Sequence, residues 1–599
     1  MIRAIRILSR AEIIRYFQVI LIQIILGLLD VAGVLIIGLL GSLAVSGISS
    51  GKPGDRVSGF LALVNLEGQP LQTQVGIMGL AAAVLLIFKT LFSLYFTRRT
   101  LFFLSRRAAT LSTLLTSKLL GRSLLRVQAR SIQETIYSLT TGVTTITVGI
   151  LGSTAILITD ISLLIILTAG LFLVDTLIAI LTLIIFGLLG FVLYRIMHVK
   201  VRRLGNLQAT ATIASNEKLA EVLQSYRELV VRNRRSFYAS EIGKLRMSLS
   251  NVTAQNIFYQ NISKYVLELA MVVGALIISA IQFSTQSAGH SIAVLSIFLA
   301  ASSRIVPAVL RVQQGALSIK GNIATAKPTL DLIDELGTEP IMEKSDDVLD
   351  LAHDGFSPNV LIHDLSFSYP QQEELAISGI NLEIKEGSIV AIVGSSGAGK
   401  TTLVDLLLGV LEPTRGTVLI SGRSPLETIR KWPGAVSYVP QDVTAINGTI
   451  RENIAMGYPE VLGSDDLIKE ALEVAHLLEF VSSMPEGFDT HVGDRGTRIS
   501  GGQRQRLGIA RAMFTCPQLL ILDEATSALD GETESNISDA IQAMRGRVTV
   551  LMIAHRLSTV RHADVVIYME SGVIVATGSF EEVRKKVTDF DRQAKLMGL

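Results

Sequence analysis

Residues 394 to 401 read Gly394-Ser395-Ser396-Gly397-Ala398-Gly399-Lys400-Thr401, which fits the phosphate-loop spacing G-x-x-x-x-G-K-[ST]. The glycines let successive backbone N–H groups turn inward around phosphate oxygens. Lys400 can then reach the β- and γ-phosphates of a nucleotide, and the Thr401 hydroxyl can ligate Mg²⁺. The flanks supply the context this chemistry needs. Residues 390–393 are a short apolar run that reads as a buried parallel strand, and the apolar residues after Thr402 suit a packed helix. Leu519-Leu520-Ile521-Leu522 is a second apolar strand, ending in Asp523 and Glu524. A strand-end Asp beside the phosphate loop can hold Mg²⁺ through water, and the adjacent Glu can polarise an attacking water. A third string, Ser500-Gly501-Gly502-Gln503, precedes a segment of helical character that ends near Met513. Its hydroxyl and backbone donors, with the positive end of that helix, suit an anion.

Together these strings make residues 358 to 590 resemble the nucleotide-binding domain of an ATP-binding-cassette transporter. The resemblance implies further roles. Tyr369, in Phe367-Ser368-Tyr369-Pro370, stands where the family stacks a ring on adenine. Gln441 matches the loop glutamine that senses γ-phosphate and lies near the metal. Ile499-Ser500-Gly501-Gly502-Gln503 matches the family signature, with Ile where Leu is usual. Ser527-Ala528-Leu529-Asp530 matches the loop at the dimer seam, and His555 the switch histidine. The segment Thr490 to Gly496 resembles an exporter-type feature but carries His491 and Asp494 where glutamates are common. The implied catalytic set is Glu524, His555 and Gln441. The implied ATP contacts are Tyr369, Gly394 through Thr402, and Ser500 through Gln503. The implied metal site is Thr401, Gln441 and Asp523, with ATP and Mg²⁺ as cofactors. In this family the signature closes on ATP held by a second subunit, so a homodimer is expected.

The first half must position that site against a different solvent. The 599-residue chain is 49% hydrophobic and 18% charged, and its apolar stretches crowd into residues 1–320. Six segments are long enough to cross a bilayer, near 16–46, 76–97, 141–169, 172–197, 252–283 and 290–316. A very short turn around Gly170 is expected between the third and fourth. The arginines at 3, 6, 10 and 15 predict an amphipathic interfacial helix over 1–15; a secretory signal is disfavoured by the length of the next apolar run. In the two long loops after the second and fourth segments, residues 98–130 and 200–235 each hold eight Lys or Arg. By the positive-inside rule these loops, both termini and the ATPase are cytoplasmic, in a multi-pass cell-membrane protein. Short coupling helices are expected around Gln128–Thr135 and Leu223–Val231.

The expected organisation is therefore an interfacial helix (1–15), an all-α six-helix exporter-type transmembrane domain (16–325), a linker (326–357) and an α/β ATPase domain (358–599). A net charge of +2 gives no support to a nucleic-acid partner. The single cysteine, Cys516, excludes an intrachain disulfide and is expected to be buried. Asp30, Lys89, Asp160, Lys264, Glu268 and Arg304 fall inside the predicted spans. Charges there cost roughly 2.5–3.5 kcal/mol each if they face lipid, so they should face the bundle interior, a partner or water. Lys264 and Glu268, four apart, can pair on one helix face. Lys264 to Glu268 and Arg304-Ile305-Val306-Pro307 also resemble the membrane domain of lipid-linked oligosaccharide flippases, with Lys89 where Arg is usual. That narrower resemblance implies a cationic cavity of Lys89, Lys264 and Arg304 for a polyprenyl-pyrophosphate-linked glycan. A multidrug or general lipid exporter, and an ATP-binding membrane regulator without turnover, are the alternatives.

Overall fold

The computed structural model describes residues 2–48, 69–174, 176–285, 288–337, 339–341, 350–370, 372, 374–458, 464–493, 496–525, 531–554 and 556–596. It divides into two compact units: Met1–Arg122 with Arg126–Met342, and Ser123–Leu125 with Glu343–Leu599.

The first unit is helical. Apolar sequence in hydrocarbon must satisfy every backbone N–H and C=O within its own segment, and a helix does so. The main helices are α1 (Ile2–Ile5), α2 (Arg10–Ile48), α3 (Leu71–Leu120), α4 (Ser153–Val174), α5 (Leu188–Gln224), α6 (Arg235–Thr285), α7 (Ala288–Thr325) and α8 (Lys327–Leu336). Among the described residues five stretches are long and apolar enough to cross a membrane: Arg10–Leu29, Gln72–Leu120, Ile132–Ala169, Leu183–Gln224 and Arg235–Ile277. The sixth expected crossing, 290–316, lies within α7, but most side chains before Phe298 lie outside the described residues. The loop 49–68, with its apolar Phe60 to Val64, lies outside them too. A short helix at Ile132–Tyr137 overlaps the first stretch expected to couple and runs two residues past it, and another at Tyr226–Val231 lies within the second.

Two details differ from the sequence reading. Residues 1–15 do not form one interfacial helix. Ser9 and Glu12 cap each other's backbone N–H groups at 2.8 and 3.3 Å, and this box starts α2 at Arg10. Gly170 is not a turn; Leu171 to Val174 continue the apolar run and carry α4 through it. Where α5 meets α7, a Cβ on Gly205 would come within 2.5 Å of the Gly321 carbonyl. A glycine is required there for two helix backbones to approach so closely.

At the charged end of the unit, the Arg122 side chain is 4% exposed. It bonds the Glu335 carboxylate at 2.5 Å and the Glu335 carbonyl at 2.7 Å, and it reaches Glu339 at 3.2 Å. Arg130 holds the other oxygen of Glu335 at 2.9 Å. Burial tends to raise the Glu335 pKa, but the hydrogen bonds and charges of Arg122 and Arg130 outweigh it and leave it below the ordinary carboxylate value. A carboxyl with a lowered folded pKa stabilises at pH above its unfolded value, and that contribution is lost as pH falls through the lowered one. We expect Arg122→Ala to destabilise α8 by about 2 kcal/mol at neutral pH, the usual worth of charged hydrogen bonds. Hydrogen exchange of residues 327–336 should quicken in the variant, and the difference should fade in acid.

The second unit is built on two sheets. One is six-stranded, in the order β5-β6-β7-β3-β8-β9, and the other is three-stranded, in the order β2-β1-β4. The strands are β1 (Val360–Phe367), β2 (Ile377–Ile384), β3 (Ile389–Gly394), β4 (Arg415–Ile420), β5 (Val436–Val439), β6 (Leu519–Asp523), β7 (Thr549–Ile553), β8 (Val565–Glu570) and β9 (Val573–Gly578). In the larger sheet β5, β6, β7, β3 and β8 pair in parallel, and only β9 runs antiparallel. The apolar runs are continuous because both faces are covered. Ile389, Ala391, Val393, Leu520, Leu522, Val550 and Met552 enter one core. Val390, Ile392, Leu519, Ile521, Leu551 and Ile553 enter the other. In open parallel sheets ligands bind beyond the carboxyl ends of the strands, and Gly394, Asp523 and Val439 end theirs at that edge. Cys516, expected to be buried, is exposed. Its backbone is left-handed (φ 49°) and its N–H bonds the Met513 carbonyl, so the turn directs the thiol outward.

Candidate nucleotide site and membrane charges

The phosphate loop joins β3 to the helix α9 (Lys400–Leu407), as its motif requires. Gly399 caps that helix with φ 91°, and a Cβ there would lie 2.7 Å from the Ala376 carbonyl. Ser395, Ser396 and Gly397 are exposed and the loop closes by an Ala398 N–H bond to the Ser395 carbonyl. Lys400 is buried, and its ammonium donates to the Gly394 and Ser395 carbonyls at 2.9 Å each. The ammonium thus lies along the inside of the loop. Thr401 is exposed, whereas Thr402 is buried and its hydroxyl meets that of Tyr369 at 3.0 Å. Tyr369 stands edge-on to Phe367, with centroids 5.0 Å apart. This contact ties the expected adenine-stacking ring to the base of the phosphate loop.

Asp523 ends β6 almost fully buried, and the Tyr438 hydroxyl approaches its Oδ2 at 3.5 Å. Glu524 follows with a left-handed backbone (φ 49°), a conformation that costs a non-glycine residue roughly 1–3 kcal/mol. Among the described residues three hydrogen bonds hold it. Its N–H donates to the Ile553 carbonyl at 3.1 Å, its carbonyl accepts from Gln505 Nε2 at 3.2 Å, and its Oε2 accepts from Gln441 Nε2 at 2.7 Å. The geometry therefore brings together Gln441 and Glu524, two of the three residues expected to be catalytic. Gln505, buried on the signature helix α10 (Gly501–Met513), was not singled out from sequence. A polar residue on the apolar side of that helix was the available signal. Ser500 is the helix N-cap. Its hydroxyl accepts from the Gln503 N–H at 3.2 Å, and its own N–H donates to Gln503 Oε1 at 2.8 Å. Gln503 thus closes a capping box with Ser500, which fixes the start of the signature helix at Gly501. His555, Asp494 and the loop Ser527–Asp530 lie outside the described residues.

The electrostatics point to a divalent cation. Burial raises the Asp523 pKa first, and the charges of Glu524 and Asp405 raise it further; the Tyr438 hydrogen bond and then the Lys400 charge oppose this. Burial also raises Asp405 and Tyr438, the latter with help from both aspartates, and it lowers Lys400. Three carboxylates are thus crowded beside a phosphate loop. Among the described residues no three His, Cys, Asp or Glu side chains form a metal cage. Mg²⁺ needs none: it takes one or two protein oxygens, phosphate oxygens and water. The Thr401 hydroxyl and the Asp523 carboxylate are hard oxygen donors that fit it, and the ion would relieve the repulsion among Asp523, Glu524 and Asp405.

Asp405 offers a test. A carboxyl whose folded pKa is raised costs stability above that pKa, and the cost vanishes as pH falls below the unfolded value. Asp405→Asn should raise the melting temperature at pH 7 by on the order of 3 °C, with the gain gone near pH 4. It should also lower the Asp523 pKa and move the acid limb of ATP hydrolysis to lower pH. An unmoved limb would show that Asp405 does not act on Asp523.

Residues 377–527 match the family described as ABC transporter. This chain carries an ABC transporter ATPase domain. The ABC domain is fused to a helical membrane-type unit, and the whole resembles a solved bacterial Atm1-family ABC exporter with ATP bound. The likeness has a TM-score of 0.75 over 98% of this chain and 99% of that one, at 22% identity, so it shows the fold. An ATP-dependent lipid A-core flippase of Ralstonia nicotianae is 43% identical over 37% of each chain. One of Idiomarina loihiensis is 40% identical over 44% of each. A putative multidrug export ATP-binding/permease protein of Staphylococcus aureus is 40% identical over 40% of this chain and 41% of its own length. The match spans less than half the length of these curated relatives.

In the membrane unit Asp160, on α4, pairs with Arg311 on α7 at 2.8 Å, a partner the sequence reading missed. Lys264 and Glu268 are both exposed on α6 and form no ion pair among the described residues. The Lys264 ammonium instead lies 5.9 Å from the Tyr265 ring centroid. An exposed i,i+4 pair is worth only about 0.2–0.5 kcal/mol, too little to hold two long side chains together. Lys89 is half-buried on α3. The side chains of Asp30 and Arg304 lie outside the described residues.

Proposed function

We propose that this chain is an ATP-driven exporter or flippase that works as a homodimer with two shared ATP sites. The carrying observation is the bond between Gln441 and Glu524 beside a phosphate loop, in a chain with five membrane-length helices among its described residues. A regulator without turnover has no use for that pair. Thr401, Asp523 and Gln441 would hold Mg²⁺, Glu524 would polarise the attacking water, and the family resemblance assigns the switch role to His555. The basic loops put the ATPase and both termini in the cytoplasm.

The cargo is an anionic amphipathic glycolipid, most specifically a polyprenyl-pyrophosphate glycan, guided by Lys89, Lys264 and Arg304. The names of the Ralstonia and Idiomarina relatives support a lipid-linked glycan class. The name of the Staphylococcus relative, and the aromatic ladder Phe88–Phe92–Phe96 next to Lys89, favour a multidrug exporter as the second reading. A flipping assay in reconstituted vesicles with a panel of lipids separates them. Neutralising two of the three cations should cut transport of a diphosphate lipid about thirtyfold, at about 1 kcal/mol per charge. Unchanged transport, or preference for neutral or cationic amphiphiles, favours the drug exporter.

A further inference from the structure

A groove of about 980 Å³ lies between α2 and α3, well away from Lys264 and Arg304 in sequence. Its walls carry Arg15 from α2 and Arg98, Arg99 and Arg106 from α3. On α3 the spacing alternates charge and ring along one flank: Arg98, Phe102 and Arg106 at i, i+4 and i+8, with Phe96, Arg99 and Phe103 beside them. The Arg98 guanidinium lies 5.5 Å from the Phe102 ring centroid. Gln18 and Ile22 follow Arg15 on the facing flank of α2. Four like charges share one concavity, and no carboxylate pairs with any of them among the described residues. The nearby acid, Glu12, is engaged by Arg107 at 3.2 Å.

The groove also sits at a boundary of polarity. Here α3 leaves its apolar stretch at Arg98 and α2 enters its own after Arg15. Phe96 lines the groove and begins a ladder into the apolar stretch, with Phe96–Phe92 centroids 6.4 Å apart and Phe92–Phe88 centroids 4.2 Å apart. Charge that serves only to orient a membrane protein needs neither a concave wall nor rings on both sides of it.

We propose that this groove is a binding site for an anionic membrane phospholipid. The phosphate is held by Arg98, Arg99, Arg106 and Arg15, whose guanidinium forks suit phosphate oxygens. The glycerol region lies against Phe102 and Phe103, and an acyl chain follows the ladder from Phe96 to Phe88. The arginine cluster is separate in sequence from Lys264 and Arg304, and the acyl path along the ladder ends at Phe88, beside Lys89.

The test uses the full chain in nanodiscs of equal phosphatidylglycerol and phosphatidylcholine, released into native mass spectrometry. The wild type should retain phosphatidylglycerol over phosphatidylcholine. Arg98→Gln with Arg106→Gln should weaken that retention about thirtyfold. Arg202→Gln with Arg203→Gln removes two exposed charges elsewhere on the unit and should leave it unchanged. Equal loss in both pairs, or equal retention of the two lipids, overturns the proposal. A photo-crosslinking residue at Phe102 supplies a readout that does not rely on charge loss. A lipid adduct is expected, whereas an adduct to a second copy of the chain would show that protein covers the groove and would also overturn it.

Discussion

Replacing Glu524 by Gln should lower steady-state ATP hydrolysis by about 10²–10⁴-fold while ATP binding persists. The substitution removes the charge that would polarise the attacking water and keeps the side-chain shape. It also keeps the backbone bonds to Ile553 and Gln505, because both use main-chain atoms of residue 524. The left-handed turn should therefore survive, and the loss should fall on turnover. Nucleotide retention after rapid desalting, measured beside phosphate release, separates the two effects. A variant that hydrolyses ATP at the wild-type rate would assign the water-polarising role to another group. Loss of binding along with turnover would mean that residue 524 shapes the loop instead of the reaction.

The second large effect concerns whose residues make a site. Lys400→Ala should disable a phosphate loop and Ser500→Arg a signature, each by about 10²–10³-fold, the usual cost of losing an oriented charge or donor at a reacting phosphate. Mixed dimers decide the geometry. With the two changes on opposite chains, shared sites leave one intact pair, the loop of one chain and the signature of the other. With both changes on one chain and a wild-type partner, shared sites leave none. Sites confined to single chains give the reverse. Counting trapped nucleotide per dimer in the two arrangements reads this directly, and a fully active monomer in sedimentation would end the shared-site reading.

Much of the nucleotide site was legible because its chemistry is local in sequence. Gly394 to Thr402 carries its own turn, and β6 names its end by the change from Leu522 to Asp523. What sequence could not show were contacts that depend on register between distant strands. Tyr438 faces Asp523 because β5 pairs β6 with Tyr438 opposite Ile521. Asp405 joins that cluster from a helix that sequence reads only as apolar. The membrane unit was less legible for a related reason. Hydrophobic length finds a span, but the pairing of Asp160 with Arg311 depends on which faces of α4 and α7 meet. Gly170 signalled a turn by type, and the apolar residues beyond it overrode that signal.

The alternation along β3 limits how this chain can vary. Ile389, Ala391 and Val393 look to one core, while Val390 and Ile392 look to the other. Deleting one residue between Ile389 and Val393 would swap every occupant of the two interiors downstream of the cut, because strand side chains repeat with period two. It would also draw Gly394 back by about 3.3 Å relative to Asp523 on β6. A two-residue deletion would preserve the facing pattern but misplace the phosphate loop twice as far. Viable length changes should therefore collect in exposed connections, and the strand that carries the loop should tolerate substitution of one small apolar residue for another but no change in count.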